Sequence, residues 1–304
     1  MNFIDDDYQK IISDIINDTF YINSSIRGKL AGIRTYSEVL IRKILDIEPN
    51  SSLTLGNITY IPPRPNQSNP YRERGIEKLG RERFQYLVDI VERIKPLGNQ
   101  GTHTQRIEEY TEAELNSVVD AMFDLLAFLF IEYFIKYSMT LDTQNEVLRD
   151  FSLLPPVIRY KTLKYLYEKD SSNIQVLNKY ILAIIKYKDK NEAYTWLKER
   201  EENIRAIDYL NDEEIKNYIV NHGVEIKPNI YALSINFTEF DNMYDLLLDK
   251  INDSRTSINE NGKMYKNFEQ AISHYKDQKH SSTSQELKEL HSIMDFVYLG
   301  RSSN

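Results

Sequence analysis

Residues 26–47, IRGKLAGIRTYSEVLIRKILDI, carry the most regular pattern in the chain. Ile26, Leu30, Ile33, Ser37, Leu40, Ile44 and Ile47 recur on alternating steps of four and three. That spacing returns to one side of an α-helix, so it predicts a helix with an apolar seam facing other helices. One small polar residue, Ser37, interrupts the seam. Asn23–Ser25 supplies a plausible cap. Glu48-Pro49-Asn50 predicts the end, because a residue before proline disfavours the α conformation.

The pattern on both sides is helical as well. Residues 6–20 place Ile11, Ile12, Ile15, Ile16 and Phe20 at helical spacing. Residues 49–75 hold Pro49, Pro62, Pro63, Pro65 and Pro70 and predict a long loop, with a short helical turn near Leu53–Ile58. Helical period returns over 76–95, and Pro96 is expected to close or kink that helix. The connection LGNQGTHTQR (97–106) follows, with two glycines and His103. Thr111 and Glu114 then have capping-box spacing for a helix to 138. Residues 1–140 therefore predict a bundle of four main helices.

Beyond Met139 the chain predicts a second helical domain over 150–304. Pro155-Pro156 opens a helix to about 168. Ser171 or Ser172 caps another to about 187, and a third runs in pieces from 190 past Trp196. No 34-residue repeat has a convincing second copy. A short helix at 212–220 precedes a β-rich stretch, VEIKPNIYALSINF (224–237), which predicts a short hairpin. Three helices follow at about 238–254, 262–276 and 283–297. The fold class is mostly α, a four-helix bundle plus an α-helical domain with one short β segment.

Composition narrows the function. The 304 residues suit two domains, and the net charge of −8 argues against a protein that coats nucleic acid. With no cysteine there is no disulfide framework, thiolate nucleophile or cysteine-ligated zinc, which suits a cytoplasmic location. The acidic start MNFIDDDYQK lacks the order of a signal peptide. The apolar run 118–137 carries Asp120, Asp124, Glu132 and Lys136 along one stripe, which reads as a core helix with a wet edge rather than a membrane span.

Candidate chemistry is sparse. His222, His274, His280 and His291 form no HxxxH or HxH pair with each other or with His103, so no metal is expected. No phosphate-binding or dinucleotide glycine motif occurs, and no cofactor is expected. His103 taken by itself is a loop histidine that caps a helix or meets solvent. Arg34, Glu38 and Arg42 lie four apart and read first as an ion-pair ladder. Between 64 and 106, nine basic residues (Arg64, Arg72, Arg74, Lys78, Arg81, Arg83, Arg93, Lys95, Arg106) face five acidic ones, an excess of four on an acidic chain. Arg72, Arg74, Arg81 and Arg83 are the candidate RNA contacts, with Tyr60, Tyr71 and Phe84 as stacking faces. A solvated helix face laced with ion pairs explains the same residues.

The order AGIRTYSEVLIRKIL, proline-rich loop, amphipathic helix, LGNQGTH and long apolar helix resembles the HEPN superfamily, in a branch found with restriction and phage-defence proteins. Arg34 and Glu38 match its second-helix pair, and Gly98, Asn99 and His103 match its Gly-Asn-x-x-x-His motif. The resemblance covers a little under half of the chain. It implies an antiviral defence protein of the abortive-infection type whose bundle binds RNA or dimerises. Active members use an Arg-polar-x-x-x-His motif in which the histidine moves protons and the arginine holds phosphate. Gly98 stands at that arginine position here. An enzyme would be a metal-independent endoribonuclease using His103 and Asn99, with Arg106 or Arg93 as a displaced cation, and with Arg34 and Glu38 orienting the segment from behind. The alternatives are a non-catalytic module and a non-enzymatic adaptor or inhibitor. The expected partners are a second copy or higher oligomer, RNA and a phage or host trigger protein, with no membrane.

Overall fold

A computed structural model describes residues 25–64, 67–102, 108–228, 230–232, 240–256, 268–281 and 284–299. Among them are thirteen helices and one two-stranded antiparallel hairpin, so the fold is mostly helical. The helix expected over 6–20 lies outside the described residues, as do His103 and Arg106. The chain divides into two compact units, 1–130 with 291–304, and 131–290. The boundaries fall inside two helices.

In the first unit, α1 (Ile26–Leu45) starts where the Ser25 hydroxyl accepts the Gly28 N–H at 3.2 Å. Leu30, Ile33, Ser37, Leu40 and Ile44 are buried as the seam requires, and Ser37 Oγ donates to the Ile33 carbonyl at 2.8 Å. Tyr36, Val39, Ile41 and Leu45 are buried too, so the second half of α1 is enclosed beyond the seam. The helix stops before Pro49. Asp46 takes a left-handed conformation (φ 50°), and the Ile47 N–H turns back to the Arg42 carbonyl at 2.9 Å.

The short α2 (Leu55–Thr59) sits in the proline-rich stretch, capped by Thr54 and Asn57. Asn69, only 6% exposed, stitches that loop to the next helix. Its amide donates to the carbonyls of Asn57 (2.6 Å) and Tyr60 (2.9 Å), and its oxygen accepts the N–H of Tyr71 and Arg72.

Next, α3 (Pro70–Thr102) corrects two expectations. The bend lies at Gly80 (φ 75°, ψ 164°), a conformation that only glycine adopts readily, and the backbone around Pro96 stays helical. Residues 97–102 are therefore helix and not connection. Phe84 folds back against Gly75, where a Cβ would lie 2.2 Å from its ring, so the two segments on either side of the bend meet. Ile90, Val91, Ile94 and Gly98 are all buried, so packing overrides the helix-breaking signals of Pro96 and Gly98.

The long α4 (Glu112–Lys136) begins with the expected capping box. The Glu114 N–H donates to Thr111 Oγ1 at 3.2 Å, and the Thr111 N–H donates to the Glu114 carboxylate at 2.9 Å. No helix of the described residues is long and apolar enough to cross a membrane.

The second unit adds α5 (Asn145–Phe151), which the sequence pattern did not reveal, then α6 (Pro156–Lys169), α7 (Ile174–Tyr187), α8 (Lys190–Lys198), α9 (Glu201–Arg205) and α10 (Asp212–His222). The cap of α7 is Asn173 rather than Ser171 or Ser172; it accepts the Val176 N–H at 3.0 Å. Strands β1 (Val224–Lys227) and β2 (Ile230–Ala232) form the hairpin, followed by α11 (Met243–Asn252), α12 (Phe268–Gln278) and the start of α13 (Gln285–Leu299), whose residues from 291 on belong to the first unit. Helices α6 and α7 pack as a hairpin, and α11 lies on α7, α8 and α9. Trp196 meets Tyr167 at 5.1 Å and Tyr180 at 5.2 Å between ring centroids, and the Arg200 guanidinium covers its outer face at 5.0 Å. Tyr167, Tyr180 and Trp196 therefore form one packed aromatic cluster.

Candidate functional site

Arg34 and Gly98 meet where α1 crosses α3. Gly98 is buried there, and a Cβ on it would lie 2.9 Å from Arg34 Cβ and 3.3 Å from Arg34 Cγ and Cδ. The glycine lets α3 lie directly on the aliphatic stem of Arg34. An arginine at 98 would have to occupy the space that this stem fills, so the departure at Gly98 has a packing cause. Asn99 follows it in the last turns of α3, partly buried and engaged in contacts of its own. His103 and Arg106 lie just beyond the described end of the helix.

Arg34 and Glu38 pair at 3.5 Å, both side chains about four-fifths buried. The Glu38 carboxylate also accepts the Leu55 N–H at 3.3 Å, an otherwise unsatisfied donor of the first turn of α2. The ladder does not continue to Arg42. That guanidinium turns to the loop, donating to the carbonyls of Leu53 (2.7 Å) and Ser51 (3.3 Å) and to Ser51 Oγ (3.3 Å). The α1 face therefore positions the proline-rich loop as well as α3.

Arg93 is held by two carboxylates of α4, Asp124 and Asp120, the second at 3.4 Å. Burial works against its charge, but the hydrogen bond and charge of Asp124, then Asp120 and Tyr86, outweigh it and raise its pKa. A guanidinium so neutralised crosslinks α3 to α4 and has little field left for a phosphate. The wet stripe read on α4 is thus partly a docking edge for α3, assisted by stacking of Tyr86 on Phe128 at 5.9 Å.

The basic stretch divides in the same way. Arg74 Nε donates to the Leu45 carbonyl at 3.3 Å and pairs with Glu77, while Lys78 pairs with Asp46. Both cations sit at the C-terminus of α1, where its dipole favours positive charge. Arg72 lies over the Phe84 ring at 5.4 Å, and Lys95 donates to Thr59 Oγ1 at 2.7 Å. Arg81 is exposed and Arg83 partly buried. Apart from the Arg74–Glu77 pair, these contacts could not be read from charge spacing, because the partners (the Leu45 carbonyl, Asp46, Thr59 and the Phe84 ring) lie 12 to 36 residues away in sequence.

Elsewhere, His280 Nδ1 meets the fully buried Asp150 at 2.5 Å, and the His280 backbone N–H donates to the same carboxylate at 2.9 Å. A charged cleft lies along α8 and α9, where Lys198 and Arg205 share Glu201 and Arg200 pairs with Glu199. Among the described residues no group of three His, Asp or Glu could hold a metal ion.

The fold and site define a class no finer than a helical protein with a close α1–α3 crossing. No family description, curated protein or solved structure matches the chain.

Proposed function

We propose that residues 1–140 form a HEPN-like module that binds RNA or dimerises without cleaving RNA, in an abortive-infection type of anti-phage defence protein. What carries the reading is the contact of Gly98 with Arg34. It joins the two sequence elements on which the resemblance rests, 64 residues apart, and leaves no room for the arginine of an active motif. The engagement of Arg93 by Asp120 and Asp124 supports the non-catalytic form, because it occupies one of the two cations considered as replacements for that arginine. The exposed guanidinium of Arg81 remains available for phosphate contact.

The test uses the full chain with labelled single-stranded RNA at low salt, without added metal, together with light scattering for mass. The expected result is salt-sensitive RNA binding or a dimer, with intact RNA. Cleavage that disappears in His103→Ala at unchanged thermal stability would establish the ribonuclease instead. A monomer with no RNA binding would favour an adaptor or inhibitor.

A further inference from the structure

Residues 60–64, Tyr-Ile-Pro-Pro-Arg, leave the end of α2 as an exposed ridge. Tyr60 is 51% and Ile61 67% exposed, Pro63 and Arg64 are exposed, and Pro62 is half-buried. The contrast with the residues just before them is sharp. Leu53, Leu55 and Ile58 are buried almost completely, so this stretch supplies the core with its earlier apolar side chains and presents the later ones outward.

The backbone of the ridge is set locally. Tyr60 has φ −67° and ψ 122°, close to polyproline II. Ile61 and Pro62 each precede a proline, which steers them away from the α conformation, and both prolines hold φ near the same value. The root is fixed as well. The Tyr60 N–H donates to the Gly56 carbonyl at 3.0 Å, its carbonyl accepts the Asn69 amide at 2.9 Å, and Lys95 holds Thr59 Oγ1 at 2.7 Å. A ridge shaped in advance loses little freedom when something docks on it.

Its charge is one-sided. Residues 49–72 contain no Asp or Glu on a chain of net charge −8. Among the described residues the exposed Arg64 guanidinium has no ion-pair partner. We propose that Tyr60–Arg64 is a docking ridge for a partner protein that reads polyproline II segments, through a groove walled by aromatic rings with a carboxylate at one end. The aromatic walls grip the proline rings, and the carboxylate pairs with Arg64. At about 3.1 Å per residue the five residues span about 12 Å, enough for one groove and one acidic site. A platform for stacked bases needs several rings in succession. The other two candidate rings are not available for that: the Tyr71 hydroxyl is engaged by Ser52 at 3.0 Å, and Phe84 is 1% exposed beneath Arg72. The ridge does not depend on whether the bundle binds RNA or dimerises.

The experiment is calorimetric titration of the full chain with a purified WW domain that reads Pro-Pro-Arg segments. Arg64→Glu, Ile61→Ser and the double variant Pro62→Ala/Pro63→Ala are titrated in parallel. Each protein is also titrated with a single-stranded RNA 12-mer and weighed by light scattering. The expected result is saturable one-to-one binding of the WW domain, weakened roughly ten- to a hundredfold by Arg64→Glu and weakened also by the proline variant. Melting temperatures should stay at the parent's value, because exposed substitutions perturb folding little. No binding at millimolar concentration, or unchanged affinity in all three variants, would overturn the assignment. A lower melting temperature in Ile61→Ser would show that the ridge packs on the chain's own residues, and would overturn it too. A dimer that dissociates in Ile61→Ser would give the ridge to a second copy. RNA bound in place of the WW domain, and lost in Arg64→Glu, would make it a nucleic-acid contact; either result refutes the proposal.

Discussion

Replacing Gly98 tests the α1–α3 crossing directly. In Gly98→Ala the new Cβ would lie 2.9 Å from Arg34 Cβ, inside ordinary contact, and Arg34 Cβ cannot swing away because it is fixed to the backbone of α1. Separating the helices by a few tenths of an ångström costs about 1–3 kcal/mol. Alanine regains about 1 kcal/mol of helix propensity over glycine. The balance is a net loss of about 0–2 kcal/mol. Gly98→Arg adds the full side chain against the same stem and should lose about 3 kcal/mol or more. Gly56→Ala is the control, because its nearest neighbour, Thr54 Oγ1, would be 3.5 Å away. It should gain up to about 1 kcal/mol. Urea unfolding followed by circular dichroism reads all three. A Gly98→Arg protein as stable as the parent would refute the packing account, and with it the reason given for the missing arginine. Arg34→Gly should recover most of the loss in Gly98→Ala if the stem is the obstacle.

Other perturbations follow from the same geometry. Gly80→Ala should lower stability by about 1–3 kcal/mol despite alanine's better helix propensity, since φ stays near 75° at the bend; a raised melting temperature would contradict this. Arg93→Ala should cost about 1–2 kcal/mol, less than a fully buried pair because the Arg93 side chain is 43% exposed, and Asp124→Asn should relieve part of it. No relief in the double variant would refute the crosslink. For Lys179 of α7 and Lys250 of α11, burial pushes the folded pKa down to about 8, below the unfolded value, so the folded state binds fewer protons between about pH 8 and 10. Stability should therefore rise with pH across that window, by roughly 3 kcal/mol at most for one lysine. Urea midpoints that stay flat or fall from pH 7.5 to 9.5 would count against it.

The helices with strong periodicity were legible without the structure. The α1 seam, the Thr111–Glu114 cap, the short turn near residue 55 and the hairpin near 224–232 all follow from local rules. The misread boundaries share a cause. Pro49, Pro96 and Gly98 are local stop signals, but Asp46 ends α1 earlier, and close packing against Arg34 keeps α3 helical past residue 96. The site was legible only as a set of residue types. Charge spacing showed that Arg74 and Arg93 are cations; that one caps α1 and the other meets two aspartates depends on contacts 27 to 31 residues apart.

The division of the chain also bears on how the protein is made. The first unit takes in residues 291–304, so its core, including buried Met294 and Phe296, is complete only after the whole of 131–290 has left the ribosome. The first unit therefore cannot complete its fold ahead of the second during synthesis. Until those residues arrive, the apolar surface that Met294 and Phe296 cover in the first unit stays uncovered. A nick or stop near residue 285 would thus remove part of the core of a unit whose other residues were made long before.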